Sequence, residues 1–325
     1  MRSQARLAAS RNPLTNIFQK FQCGGTYLLR YPLSMAFSAM LCILGFAMPV
    51  DPAEQETTAS HMAAKQQTTA ARSPTSTSVL WSSDFETGDL SDSFYTGSKL
   101  KPAGGGIFNS GIAESVASQD FAHSGTWSLK ATITTSHKPT SGTRMFRWRE
   151  SQDARYFASG LYYSAWFLFP RLYTLTADPQ RGQFWNIFQF KSKTSSRNDP
   201  VWFLDVANRG RGGAMYLTLH WWERLAMDGP HAGESGGRRY TQNVADIPVE
   251  RWIHIEAYLK QAADFTGEVT VWQDGALLFD QKRVKTKYTS GDNQWAVNNY
   301  SDGLMPNPAT IYIDDVSVAV ERTER

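Results

Sequence analysis

Three arginines in one predicted strand provide cations that could bind an acidic ligand. The segment TRMFRWRE contains Arg144, Arg147 and Arg149. We expect all three to project from one side of a strand, where guanidinium groups can form paired hydrogen bonds with carboxylates or sulfates. A solvated sheet edge would explain the same residues equally well. The segment therefore indicates either an anion-binding surface or an ordinary edge.

A second segment combines aromatic and polar side chains on one predicted face. Alternation in AMYLTLHWW separates Met215, Leu217, Leu219 and Trp221 from Tyr216, Thr218, His220 and Trp222. The second set is typical of a surface that stacks on sugar rings, and Trp185 in FWNIFQFKS is a further candidate platform. A position in the core is the alternative, because aromatic residues at strand spacing are more often core residues.

Signatures of other catalytic classes are weak or absent. The string GESGG at 233–237 fits G-x-S-x-G, but it lies in a glycine-rich loop without the strand-to-helix context of a nucleophile. No cysteine and histidine set has zinc spacing, and no E-x-D-x-x-E strand marks a glycoside hydrolase. A hydrolase would have to use other carboxylates, such as Asp205 and Glu256.

Short alternating segments that end at Gly, Pro, Asn or Asp predict the elements that position these residues. LYYSAWFLF (161–169) is apolar on both faces and predicts a central strand, and EVTVWQDGALLFD predicts a hairpin that turns at Asp274 and Gly275. In RWIHIEAYLK, alternation predicts that Ile253, Ile255, Ala257 and Leu259 point inward. About 240 residues without a long amphipathic helix predict an all-β fold of two antiparallel sheets packed face to face.

The N-terminal part is predicted to lie outside this fold. Five basic residues precede the uncharged apolar run 35–50, which predicts an export signal over residues 1–50. A membrane anchor is the alternative, but the run is shorter than the roughly 20 residues of a spanning helix. Residues 51–78 are rich in Thr, Ser, Ala and Gln and predict a disordered linker before the domain at 79–325.

Charge and cysteine content restrict the partners of the predicted domain. Without the five basic residues of the signal, 28 Lys and Arg remain against 30 Asp and Glu, so no nucleic-acid partner is expected. Both cysteines, Cys23 and Cys42, precede residue 51, so the exported part can form no internal disulfide. We expect a secreted or periplasmic monomer without a membrane partner beyond the signal.

The order of these segments resembles the concanavalin-like jelly-roll polysaccharide lyases, a group that includes glucuronan lyase and heparin lyase I. The resemblance spans residues 80 to 320 and implies a two-sheet antiparallel jelly-roll sandwich. Non-catalytic lectin-like modules share its opening FExG and closing DD elements. It rests on the segments SDFETGDLS (83–91), YYSAWFLFP (162–170), WNIFQFKS (185–192), VERWIHIEAYLK (249–260), VTVWQDGALLF (269–279) and YIDDVSV (312–318).

The resemblance implies a chemistry in which a proton is removed from the carbon next to a carboxylate. That carbon is too weakly acidic unless the carboxylate charge is neutralised, and the residues that match the neutralising pair are Gln189 and Lys191. A tyrosine and a histidine then transfer protons. The matching tyrosine is Tyr300, although its surroundings depart from the usual tyrosine-glycine pattern, and the histidine is either His220 or His137.

Two further implications concern metals and function. Glu86 and Asp315, or its neighbour Asp314, would meet if the terminal strands pair, and such carboxylates suit a structural Ca²⁺. No organic cofactor is expected. We therefore expect a lyase that cleaves an acidic polysaccharide by β-elimination, with a non-catalytic carbohydrate-binding module as the alternative.

Overall fold

The computed structural model describes residues 78–91, 106–134, 141–148, 160–175, 184–222, 237–301 and 303–323. All of them belong to one compact unit, Gln67–Arg325. The predicted export signal and all but the last residue of the predicted linker lie outside the described residues. No helix in the described ranges is long and apolar enough to cross a membrane.

The described residues form strands joined by turns and loops. The strands are β1 (Val79–Ser83), β2 (Gly106–Ser110), β3 (Ala113–Ser118), β4 (Ser128–Ile133), β5 (Ser141–Trp148), β6 (Gly160–Leu168), β7 (Thr174–Leu175), β8 (Trp185–Lys193), β9 (Asn198–Asn208), β10 (Met215–Trp221), β11 (Arg238–Tyr240), β12 (Trp252–Lys260), β13 (Gly267–Gln273), β14 (Ala276–Val284), β15 (Asp292–Ser301), β16 (Leu304–Met305) and β17 (Ala309–Ala319).

These strands build two large antiparallel sheets. The eight-stranded sheet has the order β14-β13-β12-β6-β17-β4-β3, with β1 paired to β17, and the seven-stranded sheet has the order β11-β10-β9-β8-β15-β5-β2. β16 and β7 form a separate small pair. The all-β two-sheet sandwich that the sequence predicts is therefore confirmed, and the pairing of β1 with β17 brings the ends of the domain together.

The core fills the space between the two sheets. Ile253, Ile255, Ala257 and Leu259 of β12 are all at most 1% exposed, as alternation predicts. β6 lies between β12 and β17, so the strand with two apolar faces is central. The hairpin between β13 and β14 turns at Asp274 and Gly275, whose φ angles of 49° and 81° fit a turn that needs two positive φ values.

A register shift in β8 changes which of its residues face the core. The pairing of β8 with β9 is irregular between Asn186 and Phe188, so simple alternation fails there. Trp185 and Phe188 are both in the core, whereas alternation puts them on opposite faces. Period-two alternation along FWNIFQFKS predicts that Trp185 and Gln189 share one face of β8, and this prediction is wrong because an irregular residue separates them.

The predicted arginine face is also wrong for one pair. β5 pairs with β15 without a register shift, and Arg144 lies opposite Asn298 while Arg147 lies opposite Trp295. Residues three apart in a regular strand occupy opposite faces. Positions 144 and 147 are therefore not on one face of β5, and Arg149 lies outside the described residues.

Candidate functional site

A cavity of about 450 Å³ opens on the outward face of the seven-stranded sheet. Its walls come mainly from β8, β9, β10 and β11. The lining combines aromatic, amide and titratable side chains, and consists of Leu175, Phe184, Asn186, Gln189, Pro200, Phe203, Asp205, Val206, His220, Trp222 and Arg239. We call it the groove cavity.

Two of the predicted catalytic residues meet in the groove cavity. The register of neighbouring strands places Arg239 beside His220, His220 beside Phe203, and Phe203 beside Gln189. These four side chains therefore form one row across the sheet. Trp222, a predicted sugar platform, lines the same cavity.

Gln189 presents an amide that no described residue binds. Its side chain is only 6% exposed, yet it has no hydrogen-bond partner within the described residues. Buried amides are normally hydrogen-bonded, and an unused donor in a cavity is available to a ligand. The position therefore suits the binding of a substrate oxygen.

His220 is held in its neutral form. Burial, followed by the nearby positive charge of Arg239, lowers the pKa of the imidazole to about 4. The ring stacks on Phe203 with 4.9 Å between the ring centres. Its Nε2 atom lies 3.0 Å from Oγ1 of Thr218 and 3.6 Å from Oδ2 of Asp205. A neutral imidazole can accept a proton, as a general base must.

A chain of buried polar side chains supports this histidine from the neighbouring strands. Nδ2 of Asn186 donates to Oδ1 of Asp205 at 3.1 Å and to the backbone oxygen of Leu204 at 3.3 Å. Asn298 donates in turn to Oδ1 of Asn186. Both amide hydrogens of Asn186 are thus used within the protein, so Asn186 supports the site rather than binding a ligand. Asn186, Asn298 and Arg239 were not among the predicted site residues, because the sequence contains no recognisable signal for them.

Tyr300 and Arg144 form a second cluster beside the groove cavity. Tyr300 pairs in register with Asn186, and its ring lies 5.1 Å from that of Phe184, which lines the cavity. The guanidinium of Arg144 lies over the Tyr300 ring. Burial and then the positive charge of Arg144 lower the pKa of Lys191, so these two cations lie near each other.

Other predicted site residues are not brought into the cavity. Trp185 is 1% exposed in the core, where its Nε1 donates to Asn299, so it cannot stack on a sugar. Tyr216 does not line the cavity, and one face of its ring is covered by the guanidinium of Arg209 at 4.3 Å. His137 lies outside the described residues, so its predicted role stays a prediction.

The hydrolase alternative does not fit the geometry. Asp205 lines the groove cavity, whereas Glu256 belongs to β12 of the other sheet. Glu256 is 1% exposed and accepts hydrogen bonds from Arg322 and Thr323. The two carboxylates lie in different sheets, so they cannot flank one glycosidic bond.

The predicted calcium ligands converge on the loop at 121–128. Oε1 of Glu86 accepts hydrogen bonds from the backbone of Thr126 and Trp127. Asp315 contacts the side chains of His123 and Ser124 in the same loop.

Asp314 adds a buried carboxylate beside this loop. It is 0% exposed, and burial together with Asp315 raises its pKa to about 8. A buried carboxylate next to a partly exposed one fits a hard cation, although no group of three acidic, His or Cys residues within the described ranges forms a metal cluster. Calcium therefore stays a proposal, with Glu86, Asp314 and Asp315 as the residues that would hold it.

The fold and the groove cavity together define an all-β sandwich with a candidate proton-transfer site on one outward sheet face. Residues 85–317 match the family model described as polysaccharide lyase. This match covers most of the chain, and the chain belongs to the polysaccharide lyase family. It is therefore an enzyme, a carbon-oxygen lyase that acts on a polysaccharide. No protein of curated function matches the sequence.

Several solved structures are similar to this chain. The endo-beta-1,4-glucuronan lyase from the fungus Trichoderma reesei aligns with 75% of this chain and 96% of its own chain, at 18% identity and a TM-score of 0.51. The alginate lyase Aly36B in complex with alginate trisaccharide aligns with 74% of this chain and 98% of its own, at 12% identity and a TM-score of 0.45. The alginate lyase vAL-1 from Chlorella virus aligns with 66% of this chain and 91% of its own, at 12% identity and a TM-score of 0.45. At 18% identity, the similarity to the glucuronan lyase supports the sandwich fold alone.

Proposed function

We propose that the chain cleaves a uronic-acid-containing polysaccharide by β-elimination in the groove cavity. The observation that carries this proposal is the side-chain amide of Gln189, which is 6% exposed, faces the cavity and has no partner among the described residues. Such an amide can donate to a substrate carboxylate and stabilise the negative charge that develops when the adjacent carbon loses its proton.

The surrounding charges favour an acidic polymer. Arg239 on β11 and Arg144 on β5 lie five strand positions apart, which corresponds to roughly 24 Å at about 4.8 Å per strand. Lys191 lies between them on β8. Cations therefore lie at both ends of this path, and the proton-transfer residues lie between them. Such a path suits an internal segment of a polysaccharide, which supports endo-acting cleavage.

The elimination needs one base and one acid. The base takes the proton from C5 of the uronate, and the electron pair of the broken C–H bond forms the C4–C5 double bond as the C4–O bond breaks. The leaving oxygen then takes a proton from an acid. We assign His220 as the base, because its lowered pKa keeps it neutral, and Tyr300 as the acid, because a phenol O–H can donate a proton.

Incubation of the purified chain with glucuronan, alginate, heparin and hyaluronan tests the proposal. Elimination leaves a conjugated unsaturated uronate whose ultraviolet absorbance reports each cleavage. Carboxyl-reduced glucuronan, which lacks the anion, is the matched control and should give no signal. New reducing ends without the absorbance, or no cleavage of any uronate polymer, would reject β-elimination.

We further propose that residues 1–50 direct export, so that the sandwich acts as a secreted or periplasmic monomer. Five basic residues before an uncharged apolar run support this proposal. N-terminal sequencing of the mature protein should find a start at about residue 50. Recovery of the uncut chain from the cytosolic fraction would contradict export, and size-exclusion chromatography checks the monomer.

A further inference from the structure

The hydrogen bonds of Thr218 determine which nitrogen of His220 carries its proton. Oγ1 of Thr218 donates to the backbone oxygen of Asp205 at 3.2 Å and lies 3.0 Å from Nε2 of His220. A hydroxyl has one hydrogen, and a backbone carbonyl can only accept. The hydroxyl hydrogen of Thr218 is therefore donated to the backbone oxygen of Asp205. The contact between Thr218 and His220 then requires that Nε2 carries a hydrogen and donates it to the hydroxyl oxygen.

The carboxylate of Asp205 reinforces this arrangement. Its Oδ2 lies 3.6 Å from Nε2 of His220, where a negative charge favours a proton. The opposite tautomer would turn the lone pair of Nε2 toward both the Thr218 oxygen and this carboxylate, which is repulsive. Asn186 and Asn298 hold Asp205 in place through the amide chain described above.

The other ring nitrogen, Nδ1, makes no hydrogen bond to any residue that the structure describes. Nδ1 of His220 has no hydrogen-bond partner within the described part of the chain, and His220 lines the groove cavity with its side chain 22% exposed. Charged neighbours of the ring are Asp205 on β9 and Arg239 on β11. The only lone pair that the neutral ring can offer to a substrate is therefore on Nδ1.

We propose that His220 acts as the base through Nδ1, and that Thr218 and Asp205 are positioning residues that keep the proton on Nε2. This assignment rests on the proposed function for its catalytic part. Nδ1 forms the new N–H bond with the C5 proton, the C–H electron pair enters the C4–C5 double bond, and the leaving oxygen receives its proton from Tyr300. The resulting imidazolium, protonated on both nitrogens, is stabilised by Asp205 on the Nε2 side.

Nitrogen NMR of the chain labelled with ¹⁵N-histidine tests the tautomer without any substrate. The chain contains six histidines, and the signals missing from His220→Gln assign those of His220. At neutral pH, Nε2 should show the shift of a protonated nitrogen and Nδ1 that of an unprotonated one. A proton on Nδ1 would overturn the proposal.

Kinetics test the positioning role. Thr218→Val removes the acceptor at nearly constant volume and should lower kcat about fivefold with little change in KM, because the loss of one hydrogen bond of about 1 kcal/mol converts to that factor. Thr218→Ser restores the acceptor and should recover kcat. Thr270→Val on the other sheet removes a threonine hydroxyl that binds Asp280, and is the matched control for stability and activity.

The outcomes separate this proposal from the proposed function. An active enzyme in which Thr218→Val keeps its kcat within about twofold would overturn the positioning role. If the wild-type chain cleaves no uronate polymer, the proposed function fails, while the NMR spectrum alone still decides the tautomer.

Discussion

The guanidinium of Arg144 lies 3.8 Å from the centre of the Tyr300 ring. Burial lowers the pKa of Arg144, and the Tyr300 side chain opposes this effect as an electrostatic and hydrogen-bonding partner. A planar cation over an aromatic face fixes the ring orientation. Arg144 is therefore placed to act on Tyr300 itself, in addition to any contact with a substrate.

Arg144→Lys should lower kcat about tenfold, since lysine keeps the charge but loses the planar contact, which is worth about 1–2 kcal/mol when desolvated. Initial rates on the best uronate polymer measure this change. Arg197→Lys is the matched control, because Arg197 lies 5.3 Å from the ring of Tyr288 and does not line the groove cavity. Equal rates for both variants would contradict a role for Arg144.

Gln189→Ala should lower kcat about 100-fold, the usual effect of removing one donor from a developing oxyanion. Its stability should change by less than about 0.5 kcal/mol, because the amide makes no hydrogen bond within the described protein. Gln189→Glu should be slower still, since it places a negative charge against the substrate carboxylate. Gln281→Ala, on β14 of the other sheet, is the control. Wild-type kcat in Gln189→Ala would contradict carboxylate neutralisation.

Regular strands explain which parts of this site the sequence could predict. β10 pairs with β9 without interruption, so alternation correctly buries Met215 and Trp221 and directs His220 into the cavity. β8 contains a register shift between Asn186 and Phe188, and no Gly or Pro in the strand signals it. Alternation therefore predicts the wrong face for Trp185, which lies in the core.

The supporting amide chain could not be predicted from local pattern at all. Asn298 and Asn186 are 112 residues apart and meet only because β15 pairs with β8. Hydrogen bonds between distant strands depend on sheet order, which period-two alternation does not contain. The same limit applies to Arg239, which reaches His220 through the pairing of β11 with β10.

Trp222 and Trp185 should respond in opposite ways to substitution. Trp222→Ala should raise KM by roughly fivefold with a small loss of stability, because the ring lines the cavity, where stacking contacts are worth about 1 kcal/mol. Trp185→Phe should lower the free energy of unfolding by about 1–3 kcal/mol, because Oδ1 of Asn299 loses its buried donor. Urea unfolding and initial rates measure both. A raised KM in Trp185→Phe with unchanged stability would contradict the core position.

The neutral state of His220 should make stability depend on pH. Its folded pKa is about 4, whereas the ordinary value is 6.5. Between these values the unfolded chain binds a proton on His220 and the folded chain does not. The contribution of His220 to the free energy of unfolding is therefore fully present above about pH 6.5 and is lost as the pH falls toward 4. The wild type should therefore lose stability relative to His220→Gln over this window, measured by urea unfolding at several pH values. A constant difference between the two proteins would contradict the lowered pKa.

Calcium should stabilise the domain through the carboxylates beside the loop at 121–128. Asp314 is 0% exposed and adjacent to Asp315, and a bound cation would relieve the repulsion between them. A ligand that binds only the folded state at a hundredfold excess over its Kd adds about 2.7 kcal/mol, so millimolar Ca²⁺ should raise the Tm relative to EDTA. Asp314→Asn should abolish this increase, while Asp264→Asn, in an exposed loop, should keep it. An increase that persists in Asp314→Asn would place the calcium elsewhere, and no increase in the wild type would reject the site.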